Sequence, residues 1–594
     1  MPTIPDWRHL ANGREIPTES YSDQPYIVKT DDGAWLCCMT TGAGLEGQPG
    51  QHIVSMRSTD QGQNWEDPVD VEPADGPEAS YAVLLKAPTG RVYCLYNHNT
   101  DNVRWVKADD PPFKDGKCSR VDSLGHYVFR YSDDHGRTWS DKRHDIPVRE
   151  FAIDRENADG GELRYFWNVG RPFLHNGAAY CSLHKVGGFG EGFFTRSEGV
   201  LLKSANILTE SDPAKITWET LPDGDAGLRT PPGGGPIAEE QSYSVLSDGS
   251  FFCVYRTIDG HPACCYSRDG GHTWTTPDYM RYADGRLMKH PRAANFAWRL
   301  ANGKYLYWFH NHGGNWYDDR NPVWLCAGTE GDTPEGKVIR WSQPEIALYD
   351  DDPYIRISYP DLIEDDGQVF LAETQKDVAR VHRLDPVLLA GLFGQLENGT
   401  PATEGLVLDF GGAEGGIPAE IGMPRLPELV ARDASRADYG TRDLRGGFSL
   451  DFWIRLESFS LGQVVLDSRT DNGPGIRVRT THRGTLAVVL NDGRTENRWD
   501  CDVGALEAGK LHHVAIIVDG GPKIITFVID GKLCDGGEHR QFGWGRFSPH
   551  LRGVNGSKRL QVAPSLKGEV RSLRFYSRCL RTSEAIGNFR AGCA

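Results

Sequence analysis

One eight-residue pattern, Ser-x-Asp-x-Gly-x-(Thr/Asn)-Trp, occurs three times in this chain, at residues 58–65, 132–139 and 267–274. Each copy follows an apolar segment that favours a β-strand. In such a peptide the Asp side chain can accept hydrogen bonds from backbone N–H groups two or three residues further on, Gly can adopt a positive φ, and Trp can pack under a neighbouring strand. Three copies therefore predict one tight hairpin turn that is repeated through an all-β protein.

The composition is that of a turn-rich β protein with more than one domain. The chain has 594 residues, more than one hydrophobic core usually serves, and it contains 69 Gly, 35 Pro and 16 Trp. It has no run of 18 apolar residues, so we expect no membrane span. The formal net charge of −17 disfavours nucleic acid as a partner, although it leaves room for a local basic pocket.

The cysteines and the N-terminus bear on the cellular compartment. The 13 Cys are an odd number and several lie inside apolar strand patterns, which favours buried free thiols over a disulfide framework. No Cys/His spacing of the zinc type is present, so we predict no metal site from these residues. Residues 1–10 do not resemble a signal peptide, which predicts a cytoplasmic protein, or a secreted or periplasmic one if a leader has been removed.

A longer unit repeats six times. It consists of an apolar strand, a turn that ends in Gly, and a second strand rich in aromatic residues. The six turn glycines lie 54 to 87 residues apart: Gly33, Gly90, Gly177, Gly249, Gly303 and Gly367. Six four-stranded blades closed into a ring bury their sheet faces and leave only short edges. We therefore predict a six-bladed β-propeller within residues 1–400.

The pattern changes in residues 401–594. Four segments, most of which alternate polar and apolar residues with period two, predict half-buried antiparallel strands: 448–455, 509–520, 527–532 and 568–576. In this order they resemble a concanavalin-like or laminin-G-like jelly roll, a β-sandwich. The resemblance leaves two roles open, binding of carbohydrate and orientation of the first domain. Calcium binding at the sheet rim is a further option for such domains.

The topology of a propeller predicts where a site would lie. The first strand of each blade starts at the face where the second strand ends, so these positions converge on a central pocket. Many of them are polar here, as expected for a site that binds an anionic sugar and transfers protons. The simpler alternative is that each blade end is merely solvated. The candidates include Asp23, His98, Arg171, Glu240, Arg256, Arg292, His310, His312, Tyr359 and Glu373.

The repeated octapeptide resembles the Asp-box of the sialidase superfamily, and three further segments extend the resemblance. Residues 240–256 are similar to the segment that carries a Glu, here Glu240, and the second carboxylate-binding Arg, here Arg256. Residues 310–322 are similar to the segment of the third Arg, here Arg320. The segment from Tyr359 to Glu373 resembles that of the Tyr nucleophile and its Glu partner. The resemblance implies an enzyme that acts on carbohydrate.

Two departures from the family pattern narrow this expectation. The first Arg of the family is replaced by the stretch from Asp23 to Pro25, and an acid there would repel a substrate carboxylate. The loop that should carry the acid/base Asp offers only Glu46 and His52. Arg171 and Arg292 could rebuild a carboxylate site from other blades. The pattern therefore disfavours ordinary sialic-acid hydrolysis and favours another acidic sugar, such as a uronate.

Three functions remain open. The first is an exo-acting glycoside hydrolase for a terminal acidic sugar, with Tyr359 as nucleophile, Glu373 as its partner, and Glu46 or His52 as acid. The second is a uronate lyase that eliminates with His98 or His310 as base; His310 and His312, two residues apart on a strand, could also hold a divalent ion. The third is a glycan-binding protein without activity. None requires a cofactor, and the sequence specifies no oligomeric state.

Overall fold

Six antiparallel sheets of four or five strands follow one another between Arg14 and Arg383, and two further sheets form a C-terminal sandwich. The structure, a computed structural model, describes residues 6–593 except 192, 412–415, 434 and 436–439. The first five residues, which bear on the expected absence of a signal peptide, lie outside the described residues. The arrangement confirms the predicted all-β fold. Within the described part no helix is long and apolar enough to cross a membrane.

The first three sheets are blades 1 to 3, and blade 2 carries an additional hairpin. Their strands follow strand β1 (Arg14–Ile16) in chain order: β2 (Tyr21–Lys29), β3 (Trp35–Gly42), β4 (His52–Ser58) and β5 (Val69–Glu72) in blade 1; β6 (Ala79–Lys86), β7 (Val92–His98), the hairpin β8 (Val106–Asp109) and β9 (Pro112–Cys118), β10 (His126–Ser132) and β11 (His144–Asp145) in blade 2; β12 (Phe166–Trp167), β13 (Phe173–His175), β14 (Ala178–Gly190), β15 (Phe193–Ser204) and β16 (Glu219–Leu221) in blade 3.

The next three sheets are blades 4 to 6. Their strands are β17 (Glu239–Val245), β18 (Phe251–Arg256), β19 (Ala263–Ser267) and β20 (Asp278–Tyr279) in blade 4; β21 (Phe296–Arg299), β22 (Tyr305–Phe309), β23 (Val323–Thr333), β24 (Gly336–Trp341) and β25 (Glu345–Leu348) in blade 5; β26 (Ser358–Asp365), β27 (Gln368–Thr374) and β28 (Ala379–Arg383) in blade 6. Strand β1 pairs antiparallel with β28, so the start of the chain supplies the fourth strand of blade 6 and closes the ring.

The three octapeptides connect the third and fourth strands of blades 1, 2 and 4. In each, the serine hydroxyl accepts the backbone N–H of the Gly over 2.8 Å, and the Gly has a positive φ, as predicted. The Asp carboxylate accepts a backbone N–H four residues further on, as in the bond of 2.8 Å from Asn64 to Asp60. The predicted reach of the Asp side chain, two or three residues, was too short. The serine hydroxyl accepts the nearer N–H group, that of the Gly, and the Asp carboxylate accepts the N–H group two residues after the Gly.

Four of the six blades begin with the same irregularity. A β-bulge near the start of the first strand places one residue in the left-handed region of φ, namely Gln24, Tyr81, Glu240 and Tyr359, with φ of 56°, 61°, 59° and 45°. A bulge turns a side chain out of the regular alternation of a strand. Non-glycine residues with this φ cost free energy and concentrate at functional sites. The bulges in blades 4 and 6 bring Glu240 and Tyr359 into hydrogen-bond contact.

The C-terminal sandwich has one sheet of seven strands and one of six, with a separate two-stranded ribbon. The larger sheet contains β29 (Leu406–Asp409), β33 (Phe448–Leu456), β38 (Leu511–Asp519), β39 (Ile524–Ile529), β40 (Lys532–Leu533), β41 (Gly545–Arg546) and β43 (Gly568–Tyr576); the smaller contains β30 (Glu420–Gly422), β34 (Val464–Asp467), β35 (Gly475–Thr480), β36 (Leu486–Asn491), β37 (Glu496–Asp500) and β42 (Arg559–Val562); the ribbon pairs β31 (Val430–Arg432) with β32 (Thr441–Asp443). This arrangement agrees with the predicted β-sandwich.

The sandwich packs directly against blade 5. One apolar cluster joins Tyr307, Phe309 and Trp324 of the blade to Ile517 and Trp544 of the sandwich. The described residues also form three short α-helices: α1 (Ala152–Arg155), α2 (Pro386–Gly394) and α3 (Thr582–Ala591). Two single-turn 3-10 helices, Leu10–Asn12 and Pro213–Lys215, lie in the propeller. Because the core is shared, the two domains form one continuous packed unit at this side.

Candidate active site

Tyr359 and Glu240 form a hydrogen-bonded pair at the mouth of the propeller, here called the Tyr–Glu pair. The Oη of Tyr359 donates to Oε1 of Glu240 over 2.9 Å, and both side chains are buried. Burial and the charge of Glu240 raise the pKa of Tyr359 well above its usual value. Burial also raises the pKa of Glu240, although Arg256 opposes the shift. A phenol needs a proton acceptor before it can act as a nucleophile, and Glu240 is placed to be that acceptor.

Three arginines and one carboxylate stand beside this pair, and we call Glu239, Arg256, Arg292 and Arg320 the arginine wall. Arg256 lies 2.8 Å from Glu240 Oε1 and 2.7 Å from Glu239 Oε2, and Arg292 lies 3.0 Å from Glu239 Oε1. Burial opposes the ionisation of Glu239, but the charges of Arg292 and Arg256 outweigh it and lower its pKa to about 2. The wall therefore holds more cationic than anionic groups.

Arg320 is the arginine of this wall that has no carboxylate partner among the described residues. Its two terminal nitrogens donate to the Ser358 hydroxyl (2.7 Å) and the Arg292 carbonyl oxygen (3.4 Å), and its buried Nε has no partner. Among the described residues no carboxylate lies within ion-pair distance of this guanidinium. Burial lowers the pKa of Arg320, and the nearby Arg256 adds to the shift. A buried arginine in this state is suited to receive a carboxylate from a ligand.

An aromatic side chain covers the arginine wall. The ring centroid of Tyr317 lies 5.0 Å from the guanidinium carbon of Arg292 and 5.8 Å from those of Arg256 and Arg320. The same ring stacks on Phe193 at a centroid distance of 4.9 Å. The negative face of an aromatic ring attracts cations, so Tyr317 packs over the guanidinium groups of the arginine wall.

The opposite side of the pocket consists of alternating charges, and we call Asp23, Glu46, Arg120, Asp122 and Lys376 the lysine wall. The Nζ of Lys376 lies 2.9 Å from Asp23 Oδ2 and 3.4 Å from Glu46 Oε2. Arg120 lies 3.1 Å from both Glu46 and Asp122. Lys376 Nζ is also 4.1 Å from the ring centroid of Tyr359, which places this wall against the Tyr–Glu pair.

The two carboxyl groups that share Lys376 have opposite pKa shifts. Burial raises the pKa of Asp23, which the charge of Lys376 only partly offsets. Burial acts in the same direction on Glu46, but Lys376, Arg120 and Arg320 outweigh it and lower the pKa of Glu46 to about 2. Asp23 Oδ2 accepts a hydrogen bond from the Tyr21 hydroxyl over 2.7 Å, whereas the buried Oδ1 of Asp23 has no partner. Of the two groups, Asp23 is therefore the better store of a proton.

Two protein-family models match this chain. Residues 35–371, more than half of the chain, match the family model described as BNR repeat-like domain. The chain belongs to the BNR repeat-like family. Residues 433–586 match a second model, the concanavalin A-like lectin/glucanases superfamily. Both matches confirm the identification made from the sequence. A comparison with curated proteins gives no match.

Solved structures similar to this BNR protein have low sequence identity to it. A protein of unknown function from Dyadobacter fermentans is 15% identical over 63% of this chain and 97% of its own, with a TM-score of 0.45. The intramolecular trans-sialidase from Ruminococcus gnavus is 14% identical over 64% and 98%, with a TM-score of 0.44. Trypanosoma rangeli sialidase is 13% identical over 97% and 96%, with a TM-score of 0.43.

Two of the residues predicted for the hydrolytic site lie elsewhere in the BNR propeller. Glu373 was predicted to assist Tyr359, but its carboxylate lies 3.0 Å from His382 Nε2 and also accepts from Gln375, so the predicted pairing is wrong. His52 lies 3.2 Å from Glu19 rather than beside the Tyr–Glu pair. In both cases the side chain belongs to a second or third strand, whereas the bulged first strands supply the pair.

The three candidate histidines have different side-chain partners, although the backbone N–H of His312 donates to the His310 carbonyl oxygen over 2.8 Å. His98 contacts Thr100 at 2.8 Å and the guanidinium of Arg143, and burial together with Arg143 lowers its pKa to about 4. His310 is fully buried next to His290, with ring centroids 5.9 Å apart, and burial lowers its pKa well below the usual value. His312 stacks on Phe542 of the C-terminal domain at 4.8 Å.

Arg171 and the candidate metal ligands also lie apart from the Tyr–Glu pair. Arg171 of blade 3 reaches Asp361 of blade 6 at 3.2 Å and thus ties two blades together, so it does not join the arginine wall as predicted. Within the described residues the one group of three side chains that could hold a metal ion is Glu219, Asp223 and His272, and it contains neither His310 nor His312.

The BNR propeller contains site residues to which the sequence analysis gave no role. Lys376 and Glu239 occupy a second-strand end and a first-strand start, so their positions at the pocket follow from topology, but their partners do not. Arg120 comes from the long insertion of blade 2, and Tyr317 from the long loop before Arg320. An aromatic residue three positions before a predicted carboxylate-binding arginine was the available signal for Tyr317.

Proposed function

We propose that this chain is an exo-acting glycosidase that removes a terminal acidic sugar from a glycan, with Tyr359 as the nucleophile. The observation that carries the proposal is the bond of 2.9 Å from Tyr359 Oη to Glu240 Oε1, beside the buried and uncompensated Arg320. Membership in the BNR repeat-like family supports it. Tyrosine nucleophiles are known among sialidases, whereas most glycosidases use carboxylates.

The arginine wall is the proposed binding site for the sugar carboxylate. In this proposal the unpartnered Nε–H of Arg320 and the remaining N–H groups of its guanidinium bind both carboxylate oxygens, and Arg256 adds positive charge next to Glu240. The ring of Tyr317 covers this position, so we expect it to move when the sugar enters. Because Tyr359 and Arg320 are each only 4% exposed, the pocket suits one sugar at a chain end, which is why we propose exo action.

The first chemical step is a displacement at the anomeric carbon. Tyr359 Oη attacks that carbon while its bond to the glycosidic oxygen breaks, and the phenol proton passes to Glu240 Oε1. The leaving oxygen takes a proton from Asp23, whose raised pKa favours the protonated form. Asp23 thus takes the role expected of Glu46 or His52, since Glu46 is ionised near neutral pH.

The second step returns the site to its initial state. A water attacks the anomeric carbon, the bond from that carbon to Tyr359 Oη breaks, and the water proton goes to Asp23. Glu240 returns its proton to the phenolate oxygen. Two displacements at one carbon retain the anomeric configuration. The position of Asp23, where the resemblance places a carboxylate-binding arginine, makes a uronate or another acidic sugar the preferred substrate class over an ordinary sialic acid.

The proposal is tested with a panel of oligosaccharides that end in uronates or sialic acids. A hydrolase releases the terminal sugar with the mass of one added water and without ultraviolet absorbance. A lyase product absorbs in the ultraviolet because elimination conjugates a double bond to the carboxylate, and a glycan-binding protein gives affinity without either product. A slow fluorinated substrate of the preferred sugar should leave a covalent adduct on the peptide that contains Tyr359. Turnover without that adduct would remove Tyr359 as nucleophile.

A further inference from the structure

The loop that carries Arg320 and Tyr317 contacts the C-terminal sandwich at both of its ends. We call residues 311–321 the arginine loop and residues 541–546 the buttress. The loop leaves blade 5 after strand β22 and returns to it at β23. The buttress precedes and includes the short strand β41 of the larger sandwich sheet. The contact therefore joins a loop of the proposed site to a segment more than 200 residues further along the chain.

Four hydrogen bonds link the two segments, and they are distributed over both ends of the loop. At its start, Trp544 Nε1 donates to the Asn311 carbonyl oxygen (2.9 Å), and the Gly313 N–H donates to the Gln541 carbonyl oxygen (2.9 Å). The Gln541 side-chain amide lies 3.1 Å from His312 Nδ1. At its end, Arg546 donates to the Asn321 carbonyl oxygen over 2.6 Å, next to Arg320.

His312 closes the loop internally and connects it to the buttress. Its Nε2 lies 3.0 Å from the Asp319 carbonyl oxygen, to which it must donate. Its Nδ1 then accepts from the Gly314 N–H (3.2 Å) and from the Gln541 amide (3.1 Å). The assignment follows from these partners, since a neutral imidazole donates at one nitrogen and accepts at the other. One ring thus fixes the distance between the start of the loop and the residue before Arg320.

We propose that the C-terminal sandwich acts in the reaction by holding the arginine loop, and that Gln541, Trp544 and Arg546 are positioning residues for Arg320 and Tyr317. This inference rests on the proposed function for its consequence on catalysis. The Ser358 hydroxyl and the Arg292 carbonyl oxygen orient the Arg320 guanidinium, and no carboxylate among the described residues fixes it further, so its place also depends on the backbone that carries it. The sandwich therefore need not bind carbohydrate to be required for activity.

The test removes single bonds of the buttress. Trp544→Phe keeps an aromatic ring against Phe542 and deletes the donor to Asn311. Gln541→Ala removes an exposed side chain and its bond to His312, so loss of folding is not expected. The matched control is Glu345→Gln, which weakens another contact between the domains, where Glu345 accepts the N–H groups of Thr582 and Ser583 at 2.9 and 2.8 Å.

Two measurements decide the outcome. Hydrogen–deuterium exchange of residues 311–321 should speed up in Trp544→Phe and Gln541→Ala but stay at the wild-type rate in Glu345→Gln. For an acidic-sugar substrate, each buttress variant should raise KM about fivefold with little change in kcat, the loss expected for one hydrogen bond. Combining either change with Arg320→Met should add nothing further if the buttress acts through Arg320.

The two measurements distinguish an error in this inference from an error in the proposed function. Unchanged exchange in the loop would overturn the inference whether or not the protein is active, since exchange needs no substrate. Faster exchange with an unchanged KM, or an effect that persists in full in the Arg320→Met background, would also overturn it. An inactive wild type whose loop exchange still responds to the buttress would remove the proposed glycosidase and leave the sandwich as the support of the loop.

Discussion

The two walls of the pocket contain similar residue types but differ in the balance of their charges. In the lysine wall every cation faces a carboxylate, as Lys376 does with Asp23 and Glu46, so the charges alternate and largely cancel. In the arginine wall Glu239 engages two arginines and leaves Arg320 without a carboxylate among the described residues. A neutralised wall has little to offer an anion, whereas an uncompensated buried cation gains by binding one.

The difference assigns separate tasks to the two sides of the sugar. The wall from blades 4 and 5 is suited to hold the carboxylate, and the wall from blades 1, 2 and 6 is suited to exchange protons, because it contains two carboxyl groups with opposite pKa shifts. The Tyr–Glu pair lies between them. Substitutions on one wall should therefore change substrate binding, and substitutions on the other should change the pH dependence.

The largest effect on activity is expected for the Tyr–Glu pair, which lies between the two walls. Tyr359→Phe removes the nucleophilic oxygen and its bond to Glu240 while keeping the ring next to Lys376. We expect kcat/KM to fall by more than about 100-fold, measured with the best substrate of the glycan panel.

The control is Tyr255→Phe, which deletes another buried phenol oxygen, bonded to the Arg229 carbonyl oxygen at 2.6 Å. This variant should keep activity within about twofold, since the phenol oxygen that it removes is bonded to Arg229 and to no residue of either wall. Near-normal activity of Tyr359→Phe would show that the pair between the walls has no part in the chemistry.

The next largest effect should distinguish Arg320 from Arg171. Arg320→Lys keeps the charge but loses the forked donors that bind both oxygens of a carboxylate. We expect kcat/KM for an acidic sugar to fall about 10- to 100-fold, as is typical for hydrogen bonds to charged groups. Arg171→Lys, whose parent side chain pairs with Asp361, should leave kcat/KM close to that of the wild type. Equal losses in both variants would contradict the assignment of the sugar carboxylate to Arg320.

The repeated architecture could be predicted because its signals are local. Each turn carries its own serine, aspartate and glycine, so Ser58, Asp60 and Gly62 form their bonds within five residues and independently of the rest of the fold. The six turn glycines then set the blade spacing. The only local error concerned the reach of the aspartate, because the serine competes for the nearer N–H group.

The site was predictable only in part, because its pairs join distant segments. Tyr359, Arg256 and Arg320 could be selected from their motifs, whereas the bond from Tyr359 to Glu240 spans 119 positions and depends on how the ring closes. A bulge of one residue decides which side chain faces the pocket, and the sequence analysis therefore gave Tyr359 the wrong partner, Glu373. An aromatic residue three positions before Arg320 is visible in the sequence, but the contact of Tyr317 with three guanidinium groups depends on how a long loop folds.

A smaller effect should appear in the pH dependence of the lysine wall. Lys376 lowers the pKa of Glu46 and limits the rise of that of Asp23. Lys376→Met should raise both, so a reaction that needs protonated Asp23 should retain its activity to higher pH. We expect the alkaline limb of the kcat/KM profile to move upward by about one unit.

The matched control for this variant is Lys337→Met, which removes a half-buried lysine paired with Asp332. Its profile should coincide with that of the wild type. A limb that stays in place in Lys376→Met, or one that moves to lower pH, would exclude Asp23 as the proton donor.

The smallest effect concerns stability on the side of the arginine wall. His184 Nε2 accepts the backbone N–H of Glu240 over 2.7 Å, and burial lowers the pKa of His184 to about 3. Since this value lies below the unfolded value of about 6.5, the native state favours the neutral ring, and stability is lost as pH falls from about 6.5 towards 3. His184→Gln keeps an acceptor near Nε2 but does not titrate. Between pH 7 and pH 5 the free energy of unfolding in urea should therefore fall by about 2 kcal/mol less in this variant than in the wild type. Equal losses would mean that the backbone of Glu240 does not depend on a neutral His184, and the support of the Tyr–Glu pair would then have to come from the bulge and Arg256 alone.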